Sequence, residues 1–270
     1  MRHLLLVFVA LALVAPCSAQ TLRLDEPVPG HRETTVGALL GSVVPGLTIS
    51  GGMARGEVEL ALPHLVGQDY VSDRPVPVEF GHVTILDIEA EGADRLLLFG
   101  DLGSDGAAIL ALFDASLALL DAIQVATDRF TSLGEVPLLR IGPQDHAVVA
   151  SSTHWNSSQS YGDTLLVFVR DGKFRLIDSI FTFSDRICGA EQAQSLGLAA
   201  EEEEQGAPWP IIATVTEVRP LSDECESDEP LDPPFTRLIS TTYRWNASLG
   251  AYRADSDALV DLAQQSSERF

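Results

Sequence analysis

Apolar residues along this chain come in short runs bounded by Gly, Asp, Asn and Pro, and the runs are rich in β-branched and aromatic side chains. That pattern predicts strands rather than helices. The order of runs repeats. A first unit reads Thr84–Ile88, Arg95–Phe99, Ala108–Phe113 and Leu119–Val125, and a second Pro137–Ile141, Ala147–Ala150, Thr164–Val169 and Phe174–Phe181. A third shows Ile211–Val215, Leu238–Trp245 and Ala251–Arg253.

The connections agree with strands: Asp171-Gly172 is a two-residue hairpin signal, and Asn246 to Gly250 suits a longer one. The second and third runs of the first two units are apolar throughout, which predicts strands buried on both faces, whereas polar interruptions in the fourth runs predict outer strands. Asp101, Thr153 and Glu217 end the second strand of each unit, 52 and then 64 residues apart. The longer gap marks an insertion. Its Ala/Glu/Gln-rich stretch, Gly189 to Gln205, reads as a helix on propensity, with Glu201 to Glu204 as its solvated end, and an acidic loop surrounds Glu224, Glu226, Asp228 and Glu229.

Residues 20–73 fit the grammar least, with one strand expected at Gly56–Leu62 and a short helix at Val36–Val44. Ser256 is positioned to cap a helix over 256–270 in which Leu259 and Leu262 form an apolar face. The expected fold class is therefore all-β. Residues 74–255 make tandem four-stranded antiparallel, blade-like units at about 84–125, 137–183 and 205–255. They are arranged as a propeller-like array or a curved β-sandwich with small helical insertions.

The start of the chain adds an address. Arg2 and His3 precede an apolar run, Leu4 to Ala15, that ends at Cys17-Ser18-Ala19, which predicts a signal peptide over 1–19 cleaved after Ala19. Val14-Ala15-Pro16-Cys17 loosely resembles a lipoprotein lipobox, but Pro16 stands where that motif has a small residue. No later segment approaches the roughly 20 apolar residues of a transmembrane helix. The expectation is a periplasmic or secreted protein.

The formal net charge is −22, and it becomes −23 once Arg2 is removed. Such a surface repels nucleic acid and anionic lipid, so no nucleic-acid partner is expected, while a protein or glycan partner is compatible with it. Of the three cysteines, Cys188 and Cys225 remain after cleavage, and an oxidising compartment favours their pairing as a disulfide.

Gly100-Asp101-Leu102-Gly103-Ser104-Asp105-Gly106, between two apolar runs, resembles the aspartate-rich loop of FG-GAP and VCBS β-propeller repeats. The resemblance implies blade-like strands and a calcium site at Asp101 and Asp105. Here Gly103 occupies a position where that loop carries a further oxygen ligand, and calcium takes six to eight oxygens. No other cofactor is indicated.

The equivalent loop of the second unit carries His154, Trp155, Asn156 and, after a serine-rich stretch, Tyr161. Aromatic and polar groups on a loop between rigid strands suit a glycan or peptide ligand. Tyr243 and Trp245 alternate with Thr242 and Arg244 and read as core.

Hydrolase signatures are missing: Ala193-Gln194-Ser195-Leu196-Gly197 is followed by no histidine, and neither a His-Glu-x-x-His motif nor a phosphate-binding glycine loop occurs. No catalytic residue is assigned. The expected role is binding or scaffolding. The alternative is a secreted hydrolase acting on glycans or esters through scattered carboxylates.

Overall fold

The computed structural model describes residues 19–66, 75–103, 106–187, 190–203, 208–220 and 233–269. Residues 1–18 of the expected signal segment, Asp105, both cysteines Cys188 and Cys225, and the acidic loop around Glu224 lie outside these residues.

The first repeated unit folds as a meander of β7 (His82–Ala90), β8 (Ala93–Asp101), β9 (Ala108–Phe113) and β10 (Leu119–Gln124), extended at one edge by β1 (Gln20–Arg23). The second comprises β11 (Phe130–Gly142), β12 (Asp145–Trp155), β13 (Gln159–Arg170) and β14 (Lys173–Ile187). The third comprises β15 (Ala190–Ala200), β16 (Ile211–Arg219), β17 (Phe235–Asn246) and β18 (Ala251–Ala254). Every pairing within these units is antiparallel.

Turn chemistry fixes the registers. Asp171 and Gly172 both adopt positive φ, 53° and 64°, and place Arg170 opposite Lys173, the two-residue hairpin their sequence predicts.

Two expectations for the third unit are corrected. The stretch read as a helix over 189–205 is strand β15 from Ala190 to Ala200, followed by irregular chain over residues 201–203. Its even-numbered residues face inward: Gln192 and Gln194 are buried, and Leu196, Leu198 and Ala200 pack on the core, so a period of two outweighs helical propensity. The unit thus begins near Ala190, not at 205. It is also not a separate sheet. β14 and β15 pair from Asp185↔Gln192 to Ile187↔Ala190, making one eight-stranded sheet that folds over at that hairpin.

Helix α1 (Val36–Val43) forms where expected, with the Thr35 hydroxyl accepting the Ala38 amide at 3.2 Å. The expected strand at Gly56–Leu62 is displaced to β5 (Met53–Val58), which pairs with β4 (Thr48–Ser50) and β6 (Val76–Phe80). A small hairpin of β2 (Pro27–Val28) and β3 (His31–Thr35) completes this layer. Helix α2 (Ala258–Ser267) starts from Asp257, which makes no side-chain cap, while the Ser256 hydroxyl bonds Thr241 instead.

Three apolar cores lie between successive layers. The first joins α1 and the β4–β6 sheet to one face of β7–β9, through residues such as Leu40, Val78, Leu98 and Ile109. The second joins the opposite face of β7–β9, including Leu97 and Leu110, to Val148, Leu165 and Val167. The third joins Val149, Leu166 and Phe168 to Ile211, Val215 and Tyr243, and α2 seals it with Leu259 and Leu262. Alternate residues of one strand thus serve different cores, which is why the second and third runs are apolar without interruption. Among the described residues the layers form an open stack and close into neither a barrel nor a ring. No described helix is long and apolar enough to cross a membrane.

Candidate ligand-binding face

Along β12 the apolar alternation of Ala147 to Ala150 gives way to Ser151, Ser152, Thr153, His154 and Trp155, so both faces of the sheet turn polar toward one end. On the side of the second core, the Ser152 hydroxyl bonds the Thr131 hydroxyl at 2.8 Å and accepts the Thr127 amide at 3.0 Å. Two residues on, His154 and Tyr161 lie opposite each other in the β12–β13 register, their rings nearly parallel with centroids 5.1 Å apart. Phe181 of β14 continues the stack on Tyr161 at 5.8 Å.

Asp128, from the β10–β11 connection, closes this cluster, and no sequence signal pointed to it. One carboxylate oxygen accepts the Arg129 amide at 2.6 Å and lies 3.2 Å from His154 Nδ1, while the other accepts the Tyr161 hydroxyl. Burial pushes the Asp128 carboxyl up, but hydrogen bonds from Tyr161, the Arg129 amide and His154 outweigh it and hold the group below its usual range. It is an ionised acceptor that fixes two aromatic rings, and it is poorly suited to act as a general acid.

The other face carries Ser151, Thr153 and Trp155 on β12. Phe130 pairs with Thr153 across β11–β12, so it shares that face, and its ring stacks on Trp155 with centroids 4.6 Å apart and planes 20° off parallel. Both rings are half in solvent, at 51% and 59% exposure. Beside them a slot of about 470 Å³ runs between β11 and β15 over a floor of Ser151, Thr153, Gly162, Thr164 and Thr182. Asn156, named with the aromatic residues from sequence, has a different job. Its side-chain oxygen accepts the Ser158 and Gln159 amides at 2.9 and 2.8 Å and builds the β12–β13 turn.

The loop resembling FG-GAP repeats is held as a backbone turn. Asp101 accepts the Gly103 amide at 3.0 Å, and burial raises its carboxyl above the usual range, which disfavours the charged form that a cation needs. Gly103 is dictated by space as well as by its φ of +70°: a Cβ there would lie 2.3 Å from the Glu79 carbonyl oxygen of β6. The described part of the loop thus supplies one carboxyl, with its charge disfavoured, and fits calcium poorly. Among the described residues no group of three or more His, Cys, Asp or Glu converges as a metal site.

Glu217, noted in the sequence only as a strand end, is fully buried. One of its oxygens accepts Gln192 Nε2 at 2.8 Å, Gln194 Nε2 at 2.9 Å and Arg269 Nη1 at 3.2 Å, and the other accepts Arg237 Nε. Burial pushes this carboxyl up, and bonds from Gln194, Gln192 and Arg237 pull it below its usual range. Both oxygens are occupied from within the protein, so the group serves structure. Gln192 and Gln194 were hidden by the helical reading of their segment.

A wider cleft of about 960 Å³ lies between the first unit and β11. Its Arg140 donates to the carbonyls of Gly142 and Pro143 and secures the β11–β12 turn, while His146 Nδ1 contacts the Glu89 carbonyl oxygen at 3.2 Å and ties β12 to β7. Comparison of the chain with protein-family models, curated proteins and solved structures returns no match.

Proposed function

We propose that this chain is an exported binding protein whose ligand surface is the polar end of the β11–β14 face, centred on Phe130 and Trp155. The observation that carries the reading is the stacked pair itself. Two large aromatic side chains are left half-exposed on paired strands instead of entering either adjacent core, a placement that costs apolar burial and suits a contact surface. Directly behind them, on the opposite face of the same strands, the ionised Asp128 locks His154 and Tyr161. That arrangement supports a preorganised surface, which lowers the entropic cost of binding.

Asp128 and Glu217 lend the hydrolase alternative no support, since both are committed to internal donors. For the fold, the reading is an open array of blade-like units. The three meanders support it, as do the core shared at each step and the loop resemblance at Gly100 to Gly106. Export rests on the residues before Gln20, and the −22 net charge suits such a compartment.

The test is a screen of protein starting at Gln20 against arrays of glycans and of unstructured peptides, alongside a Phe130→Ala/Trp155→Ala double variant. Specific binding that the double variant loses while keeping its melting temperature supports the reading. Binding that both proteins share equally overturns it.

A further inference from the structure

The geometry points to the slot between β11 and β15 as an end-on site for a neutral glycan chain, an inference that rests on the binding surface proposed above. The slot's volume of about 470 Å³ falls within the roughly 300–1,000 Å³ of pockets that enclose small ligands. At one end Leu139 and Val149 line it, and both also belong to the third core, so a chain entering from the open end must stop there. The opposite end faces Thr153 and, at the next position on that face of β12, Trp155.

The floor is chemically uniform. Ser151 and Thr164 bond each other at 2.8 Å, Thr153 is exposed, and the Thr182 hydroxyl reaches the Gly162 carbonyl only at 3.4 Å. Thr153 and Thr182 can therefore donate to or accept from a ligand. Gly162 lies between them on β13, paired with both, and a Cβ there would crowd Thr182 Oγ1 at 3.1 Å, so glycine keeps the floor low.

Among the described residues Glu135 is the sole ionisable side chain lining the slot, and the −22 net charge of the chain repels anions. Hydroxyls below, aliphatic Leu139 and Leu198 at the walls and stacked aromatics at the mouth match the two faces of a sugar ring. The ring's C–H face lies against apolar surface while its hydroxyls exchange hydrogen bonds with Ser and Thr. The terminal unit occupies the slot and the next unit covers Trp155.

The experiment uses maltohexaose, cellohexaose and chitohexaose as linear neutral probes, and β-cyclodextrin as a glucan without ends, each titrated by calorimetry. Expected is saturable binding of at least one linear probe and none of the cyclic one. Gly162→Val should weaken that binding at least tenfold, with circular dichroism and melting temperature unchanged. Should Gly162→Val fold poorly, Thr153→Val/Thr182→Val removes two hydroxyls at constant shape and should weaken binding in the same direction.

Binding that needs Trp155 but ignores both slot variants overturns the end-on site and leaves the aromatic surface standing. So does cyclodextrin binding as tightly as the linear chains. If none of the linear probes binds at millimolar concentration, or if extended peptides bind through Trp155 in their place, the glycan assignment falls.

Discussion

Arg269, just beyond α2, reaches into the third unit and places Nη1 3.2 Å from Glu217 Oε1, while its guanidinium lies 4.8 Å above the Phe183 ring. The C-terminal segment is thereby tied to a carboxylate that solvent does not reach. Removing this carboxylate leaves the buried Gln192 amide without its acceptor, while Arg237 can turn to solvent, and a buried donor left unpaired typically costs about 1–3 kcal/mol. Glu217→Ala should therefore lower stability by about that amount, and Arg269→Ala by less, because Arg237, Gln192 and Gln194 still hold the carboxylate. Chemical denaturation of both variants checks the order.

The same carboxylate sets a pH dependence. Glu217 and Asp128 are both held below their unfolded values, so their contribution is fully present above about pH 4.5 and is lost as pH falls through their folded values. Acid should unfold the protein through these groups, and Glu217→Gln should flatten the acid limb of a stability–pH curve. An unchanged acid limb would contradict the assignment.

Tyr161→Phe removes the hydroxyl that Asp128 accepts and leaves the ring stack with His154 and Phe181 in place. A hydrogen bond to a charged group contributes about 1.5–3 kcal/mol. The variant should lose stability within that range and lose less ligand affinity than Trp155→Ala does. Equal affinity losses would mean that the Asp128 face contacts ligand directly.

Calcium gives an independent check on the Gly100 to Gly106 loop. Asp101 is spent on the Gly103 amide and burial opposes its charge, so millimolar calcium and magnesium should shift the melting temperature alike, by screening of the −22 charge. A calcium-specific shift that Asp101→Asn removes would show a working metal loop. Gly103→Ala should destabilise by more than about 1 kcal/mol, since the backbone there has positive φ and faces the Glu79 carbonyl.

Export and the cysteines share one measurement. Protein recovered from its native compartment should begin at Gln20 and have an intact mass two hydrogens below the reduced chain, reflecting a bond between Cys188 and Cys225. Two alkylatable thiols or a lipid on Cys17 would contradict the expectation.

Much of the fold was legible because burial on two faces writes itself into composition: β9 and the Leu96–Phe99 stretch of β8 are wholly apolar, and their alternate residues feed different cores. β15 was misread because Ala, Glu and Gln favour helices intrinsically, although its even-numbered positions kept a strict period of two. His154, Trp155 and Tyr161 were read as loop residues, whereas they stand on the ends of β12 and β13 on either side of the Asn156 turn. Their division between two faces follows from register, which the sequence does not display until pairing is known. Asp128 and Arg269 were invisible because their partners lie 26 and 52 residues away, at His154 and Glu217.

The central claim is that Phe130 and Trp155 form the ligand surface, and Trp155 is its own reporter, since Trp209 is buried and Trp245 packs against the third core. The most direct measurement is tryptophan emission during titration with the linear oligosaccharides and with extended peptides. The account predicts a saturable change on at least one of them, absent in Trp155→Ala and weakened at least tenfold in Phe130→Ala. Saturable binding that persists undiminished in both variants would contradict it.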